Sequence, residues 1–234
     1  MKKLALVTGS NKGIGFYTAL HLGLSGYKVL LGVRSKERGE KARSELESKG
    51  VEAEVVLMDL CDFKSIASAA REITEKHPDL YLLVNNAGIP GDMACASYDS
   101  KIEDITATAQ VNYFGPYALT SALVRTIAAN HGKIVNITVP TDVNPYWHPL
   151  AYCASKAALN CMTMTMAADF KKNGLPIETY VIHPGPTTTD LNGNMKCEGF
   201  HDADTAGCKI AETILDGTDH SGQFVELFPI VKED

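Results

Sequence analysis

The chain has 234 residues, with 22 Lys and Arg against 28 Asp and Glu, so its formal net charge is −6. Apolar residues make up 45% and charged residues 21%, proportions typical of a globular protein rather than of a disordered, collagenous or coiled-coil chain. The acidic balance without a basic block argues against nucleic acid or an anionic membrane surface as a partner, and no apolar run approaches the roughly 18 residues that span a bilayer.

Short apolar, β-branched runs alternate with amphipathic stretches along the whole chain. The apolar runs predict seven strands, at Leu4–Thr8, Lys28–Val33, Glu54–Met58, Leu80–Val84, Lys133–Thr138, Ile177–His183 and Gln223–Leu227. The stretches between them predict six helices, at Ile14–Leu24, Lys36–Lys49, Phe63–Lys76, Ile102–Ala129, Ala151–Lys172 and Asp204–Asp216. Almost continuously apolar strands are typical of a parallel sheet covered on both faces, and their alternation with helices indicates βαβ units. We therefore predict an α/β fold, a single Rossmann-type doubly wound domain over residues 1–234.

The turn after the first predicted strand is rich in glycine and reads Thr8-Gly9-Ser10-Asn11-Lys12-Gly13-Ile14-Gly15. Glycines at this spacing let the backbone pass close to a pyrophosphate, and they direct the first N–H groups of the next helix at the phosphates. A tight turn without a ligand is the alternative, but the place directly after strand one favours a dinucleotide site. The predicted phosphate contacts are Gly9, Asn11, Lys12, Gly13, Ile14 and Gly15.

The end of the second predicted strand indicates which dinucleotide binds. A free ribose 2′-hydroxyl usually meets Asp or Glu about 20 residues after the glycines, whereas a 2′-phosphate calls for Arg. Here the sequence is Gly32-Val33-Arg34-Ser35, and Lys12 adds a second cation. Arg34, Lys12 and Ser35 would suit a dianionic phosphate, so NADP(H) is favoured over NAD(H). The alternative is that both cations are solvated surface charges.

With these features the chain resembles the short-chain dehydrogenase/reductase family, and within it the NADPH-dependent carbonyl reductases. The resemblance covers nearly the whole chain, in family order. Its motifs are the glycine turn, Asp59 after the third strand, Asn85-Asn86-Ala87-Gly88, Asn112, Tyr152-Cys-Ala-Ser-Lys156, and the run from His183 to Asp190. The resemblance implies an oxidoreductase that reduces a ketone, aldehyde or quinone to an alcohol by hydride transfer.

Tyr152 and Lys156 are the predicted catalytic pair. They are four residues apart, so on a helix they project from one face. A neighbouring ammonium is expected to lower the pKa of the tyrosine from about 10, which suits it to donate a proton to the carbonyl oxygen. By resemblance, Lys156 also holds the nicotinamide ribose, and Asn112 holds a water that relays protons through it. The alternative for Asn112 is a polar group bonded to backbone inside a helix.

Further cofactor contacts are implied by the resemblance. Asp59 and Leu60 would lie at the adenine, although Asp59 reads equally as a helix N-cap. Asn86, Ala87 and Gly88 would approach the adenine-side ribose, although paired Asn residues also favour plain turns. The stretch after the sixth strand would cover the nicotinamide side, through Pro184, Gly185, Thr187 and Thr189, or else form a loop without a ligand.

One position departs from the family pattern. The family's catalytic serine lies thirteen residues before the tyrosine, where this chain has Val139. Valine offers no hydrogen to the substrate oxygen, and loss of one such donor typically costs about 10²–10³ in rate. Thr138 should point to the opposite face of the strand, so Thr141 is the preferred substitute. Two functions therefore stay open, a working reductase and a catalytically weak NADP(H)-binding protein that acts as a redox sensor or regulatory partner.

Substrate contacts are expected from three loops, at 145–148, 89–93 and 191–200. Val139, Trp147 and Met93 are the named substrate residues, and residues 191–203 are predicted to form a small lid. Family members often pair through helices matching Ile102–Ala129 and Ala151–Lys172, which predicts a homodimer or homotetramer. The six cysteines show no C-x-x-C or zinc spacing, so we predict reduced thiols, no metal site and a cytoplasmic protein.

Overall fold

A computed structural model describes residues 2–144 and 147–229. Within them one parallel sheet has the order β3-β2-β1-β4-β5-β6-β7. Its strands are β1 (Leu4–Thr8), β2 (Lys28–Val33), β3 (Ala53–Leu57), β4 (Leu80–Asn85), β5 (Lys133–Ile137), β6 (Glu178–His183) and β7 (Phe224–Glu226). The predicted doubly wound α/β fold is confirmed. The order reverses between β1 and β4, and at such a point the carboxyl ends of neighbouring strands leave a crevice for ligands.

Helices cover both faces of this sheet. The helices are α1 (Gly13–Leu24), α2 (Lys36–Ser48), α3 (Phe63–Lys76), α4 (Ile102–Ala109), α5 (Gly115–Ala129), α6 (Leu150–Lys172) and α7 (Ala203–Leu215). One core joins α1, α2 and α7 to the sheet, and a second core joins α3, α5 and α6 to the opposite face. Among the residues described, no helix combines the length and the apolar character needed to cross a bilayer.

The sequence pattern explains why α3 begins and ends where it does. Asp62 accepts a hydrogen bond from the backbone N–H of Lys64 and so caps the first turn. The apolar positions Ile66, Ala69, Ala70 and Ile73 are all buried on one face against the sheet. This spacing of three and four residues is the pattern of an amphipathic helix, so the predicted and observed bounds coincide.

The predicted continuous helix Ile102–Ala129 is wrong in detail, because it contains a wider turn. Between α4 and α5, Gln110–Phe114 forms a π-helix in which the N–H of Gly115 bonds the carbonyl of Gln110. Gly115 packs against Leu60, since a Cβ there would lie 2.9 Å from the Leu60 Cβ. The extra residue shifts the helical phase, which is how such insertions re-aim side chains at functional sites.

Candidate active site

The glycine turn has the geometry of an anion site. Its helix, α1, begins at Gly13, and the N-cap residue Lys12 makes no side-chain capping bond. The first backbone N–H groups of α1 are therefore not occupied by a capping side chain. Gly9 adopts φ +67°, and a Cβ there would lie 2.9 Å from Ala87 Cα. Only glycine tolerates both that conformation and that approach.

Thr8 joins the turn to the end of β4. Its hydroxyl oxygen accepts hydrogen bonds from the backbone N–H groups of Asn86, at 3.0 Å, and Ala87, at 3.1 Å. The amide of Asn86 returns a bond to the Thr8 carbonyl at 2.9 Å and fills the space beside Gly15. The structure thus brings the predicted residues Gly9, Gly15, Asn86 and Ala87 together at the point where the strand order reverses.

The two predicted cations differ in their surroundings. Lys12 forms an ion pair with Asp190, in the loop after β6, so the structure engages it there, and its contact with a 2′-phosphate stays a prediction. Arg34 is exposed at the end of β2. Ser35 accepts a bond from the N–H of Arg38 and caps α2. Residues 33–36, at and after the end of β2, include no Asp or Glu.

Asp59 and Leu60 lie in the loop after β3, and their contact with an adenine stays a prediction. Asp59 is half-buried, and its carboxylate accepts from the N–H of Cys61 at 2.9 Å, while Leu60 is buried. The N-cap of α3 is Asp62, so the capping alternative for Asp59 is wrong. Burial, and then Asp59, raises the pKa of the Cys61 thiol, while the charge of Arg34 opposes the rise.

Tyr152 and Lys156 lie one turn apart in α6, both buried. The Lys156 Nζ is 5.8 Å from the centre of the Tyr152 ring and donates to the carbonyl oxygen of Ile137 at 2.8 Å. Burial lowers the pKa of Lys156 to about 8 and raises the pKa of Tyr152 above its ordinary value. The prediction that the pKa of Tyr152 is lowered is therefore wrong, because burial of the phenol raises it.

Asn112 sits in the π-helical turn and links three segments. Its amide oxygen accepts from the N–H of Ile89, and its amide nitrogen donates to the Ile89 carbonyl, both at 2.9 Å, and to Ser155 Oγ at 3.0 Å. A Cβ on Gly88 would lie 3.3 Å from the Asn112 side chain and 3.7 Å from Lys156 Nζ. Gly88, Asn112 and Lys156 are thus neighbours, and Ser155, which the sequence interpretation passed over, connects Asn112 to the Tyr152 turn.

The segment after β5 carries no hydroxyl bonded to the catalytic pair among the described residues. The Thr138 hydroxyl donates to Asn160 Oδ1, in α6, at 2.5 Å, and its orientation opposite to Val139 stays a prediction. Val139 is half-buried, and Thr141 is exposed. No described hydrogen bond joins Thr141 to Tyr152, so its role as substitute donor stays a prediction.

Trp147 forms one wall beside Tyr152. The two ring centres are 5.3 Å apart and the rings meet edge to face, at 68°. Met93 is 40% exposed on the loop after β4. Pro145 and Tyr146 lie outside the described residues. Elsewhere in the described chain, no group of three or more His, Cys, Asp or Glu side chains is arranged to hold a metal ion.

The loop after β6 reaches back over the glycine turn. Pro184, Gly185 and Thr187 are buried. Thr189 contacts the glycine turn, since a Cβ added to Gly13 would lie 4.0 Å from the Thr189 methyl group. Sequence reasoning missed two supports of this loop. The rings of His201 and Phe228 stack with centres 3.6 Å apart, and Phe228 lies against Gly185. Their distance in sequence gave no signal of that contact.

Comparisons with known proteins agree with this geometry. The family model of the short chain dehydrogenases matches residues 3–198. Retinol dehydrogenase 11 of Mus musculus is 32% identical over 204 residues, which cover 81% of this chain and 63% of that protein, so the chain spans less than two thirds of this curated relative. The NADPH-bound carbonyl reductase from chicken fatty liver superposes with a TM-score of 0.84 at 27% identity, over 97% of this chain and 96% of that one. A short chain dehydrogenase from Burkholderia cenocepacia in complex with NADP gives a TM-score of 0.83 at 29% identity, over 96% and 95%.

Proposed function

Because the chain belongs to the short chain dehydrogenase family and is therefore an oxidoreductase, we propose that it reduces a carbonyl compound to an alcohol with NADPH. The single observation that carries this proposal is the buried pair of Tyr152 and Lys156, one turn apart in α6, with Lys156 beside Gly88 at the carboxyl end of β4. Burial raises the pKa of the Tyr152 phenol, so at neutral pH the side chain holds a proton and can act as an acid. Reduction of a carbonyl needs such an acid, because a proton must join the oxygen as hydride joins the carbon.

The residues of the carboxyl edge fit a dinucleotide. The uncapped start of α1 offers N–H groups to a pyrophosphate, and Gly9 and Gly15 leave room for the close approach of backbone and ligand. The exposed guanidinium of Arg34 at the end of β2, without an acid beside it in sequence, suits a 2′-phosphate. Two structural neighbours at 27% and 29% identity hold NADPH or NADP. These features support NADP(H) over NAD(H).

When bound, the cofactor supplies the hydride, and the protein supplies position and proton. We assign the proton to the Oη of Tyr152, which passes it to the substrate oxygen and so completes the alcohol. Lys156, whose pKa is lowered to about 8, exchanges protons at neutral to mildly alkaline pH and can restore the one that Tyr152 loses. Asn112 orients the segment from Gly88 to Ile89 against this lysine.

The substrate classes that we propose are ketones, aldehydes and quinones. The edge of Trp147 beside Tyr152 offers an aromatic wall on which a planar carbonyl compound can pack. The half-buried Val139 gives the same cleft an apolar lining. The proposed lid is formed by residues 191–203. It follows directly after Asp190, which forms an ion pair with Lys12 of the glycine turn.

The function is tested by following the oxidation of NADPH with a panel of quinones, ketones, aldehydes and diketones. Wild type is expected to turn over at least one class, and Tyr152→Phe is expected to lower kcat by about 10²–10⁴ without loss of NADP⁺ binding. Tyr27→Phe is the matched control, since burial raises the pKa of Tyr27 to about 12, yet Tyr27 lies at the amino end of β2, away from the carboxyl ends of the strands. Tight NADPH binding with no turnover would contradict the reductase and favour the sensor interpretation.

We also propose that the chain assembles as a homodimer or homotetramer through α5 and α6. Large apolar side chains are exposed on and beside these helices, at Ile102, Phe114, Tyr117 and Leu150. Their burial between two copies would remove apolar surface from water. Sedimentation or light scattering should give a mass of two or four chains, and Phe114→Lys should lower it, whereas a monomeric wild type would contradict the assembly.

A further inference from the structure

The ion pair between Lys12 and Asp190 joins two segments that both face the cofactor crevice. Lys12 is the residue that precedes α1 in the glycine turn, and Asp190 follows β6, 178 residues later. Both side chains are more than half exposed. The contact is therefore available to exchange with a ligand anion, since exposed ion pairs are held only weakly.

The loop around Asp190 holds this carboxylate in place. Asn194 donates to Asp190 Oδ1 at 2.9 Å. Asn192 accepts from the N–H of Thr189 at 3.1 Å and donates to the Thr187 carbonyl at 3.0 Å, so the turn is bonded at both ends. The hydrogen bonds and charge of Lys12, together with Asn194, lower the pKa of Asp190, which keeps it ionised at neutral pH. Lys12 has a flexible four-carbon stem, so of the two partners it is the one free to move.

The pair engages the ammonium that a 2′-phosphate is expected to meet. Arg34, the other proposed phosphate ligand, follows β2, and β2 lies on one side of β1 in the sheet. Asp190 follows β6, which lies on the other side, beyond β4 and β5. The loop after β6 brings Asp190 back to the glycine turn, where the neighbouring Thr189 lies against Gly13. An ammonium that bonds Asp190 must leave that carboxylate before it can serve a phosphate beside Arg34.

We propose that Asp190 is a specificity-determining residue of the cofactor site. Its carboxylate competes with the 2′-phosphate for the ammonium of Lys12, and so reduces the ratio of NADP(H) affinity to NAD(H) affinity. The inference rests on the proposed function, because it requires that NADP(H) binds at this edge. In the alternative arrangement, the ion pair would cover whichever cofactor is bound and would strengthen the binding of NADP(H) and NAD(H) alike. The two arrangements predict opposite signs when the carboxylate is neutralised.

The test measures dissociation constants of NADP⁺ and NAD⁺ by isothermal titration calorimetry at low ionic strength. Asp190→Asn is expected to bind NADP⁺ more tightly by about two- to fivefold, the scale of an exposed ion pair, with NAD⁺ affinity unchanged. Asp204→Asn is the control, because it removes the same charge from another cross-element pair, with His21 on α1, without touching Lys12. It should change neither affinity.

A double-variant cycle assigns the effect to Lys12. Lys12→Ala should weaken NADP⁺ binding, and in the Lys12→Ala background Asp190→Asn should have no further effect. If Asp190→Asn binds both cofactors more weakly, or binds NADP⁺ with unchanged affinity, the proposal that Asp190 competes for Lys12 is wrong. Failure of the wild type to bind NADP⁺ at all would instead contradict the proposed function, so the two failures are distinguishable.

Discussion

The ammonium nitrogen of Lys156 donates a hydrogen bond to the carbonyl oxygen of Ile137, at 2.8 Å, and thereby joins α6 to the last residue of β5. Lys156 is only 3% exposed, and no carboxylate of the described residues pairs with it. One backbone carbonyl offsets little of the cost of taking an ammonium out of water. This lysine is therefore expected to reduce the stability of the fold that it serves.

Lys156→Met should stabilise the protein and abolish turnover. The pKa of Lys156 falls from 10.5 to about 8 on folding, which corresponds to about 3 kcal/mol against folding while the lysine is charged. Because the folded protein binds the proton of Lys156 more weakly than the unfolded chain does, the full cost to the free energy of unfolding is present below pH 8. The cost decreases as the pH rises from 8 to 10.5. Denaturant unfolding at pH 7 and pH 10.5 measures it. Lys172→Met, at an exposed position of the same helix, should show no such pH-dependent gain, and an equal gain in both variants would contradict the assignment.

Asn112→Ala should destabilise the protein by about 2–4 kcal/mol. The change leaves the N–H and carbonyl of the half-buried Ile89 without their partner, whereas the Ser155 hydroxyl keeps its bond to the Tyr152 carbonyl. A polar group left unpaired away from water costs about 1–3 kcal/mol. Asn173→Ala, which removes one exposed bond to Asp169, should cost less than about 1 kcal/mol. Urea unfolding compares the two. Similar losses would mean that Asn112 is not the support we describe.

Val139→Ser should raise kcat for carbonyl reduction at least about tenfold. The serine adds a hydrogen-bond donor for the oxygen on which negative charge develops, and one such donor is worth about 10²–10³ where it is well aligned. Val139→Ala changes the volume but adds no donor, so it should not raise kcat. Unchanged turnover in Val139→Ser would show that the missing hydrogen-bond donor at position 139 does not limit kcat.

Arg34→Ala should weaken NADP⁺ binding by about 10- to 100-fold and leave NAD⁺ binding unchanged. The loss is that of a charge-assisted hydrogen bond to a phosphate that only NADP⁺ carries. Arg71→Ala removes an exposed guanidinium from α3 and is the control for net charge. Equal weakening of both cofactors would remove Arg34 from the specificity argument.

Local patterns were sufficient for most of the elements. The bounds of α3 follow from the cap at Asp62 and from the spacing of Ile66 and Ile73, all within one short segment. The bounds of β2 follow from the uninterrupted apolar run that ends at Val33. Both inferences needed only neighbours in sequence.

The features that sequence reasoning missed depend on what distant segments do. The π-helical turn at Gln110–Phe114 leaves the apolar pattern helical, so the extra residue has no clear signature. The pairing of Lys12 with Asp190 spans almost the whole chain. The pKa of Tyr152 was misjudged because the burial that raises it is set by the packing of α6 rather than by the spacing of residues in sequence.

The bonds of Thr8 have a consequence for the order in which the molecule folds. Leu4 pairs with Lys28 on one side and with Leu80 on the other, and Thr8 bonds Val84 across 76 residues. Closing the longer loop costs more chain entropy, and non-local parallel pairing is slow. We expect pulse-labelled hydrogen exchange to find the amides of Asn86 and Ala87 protected after those of β2. The crevice would then be one of the last parts of the protein to become native, so a nascent chain shorter than 87 residues cannot hold a nucleotide.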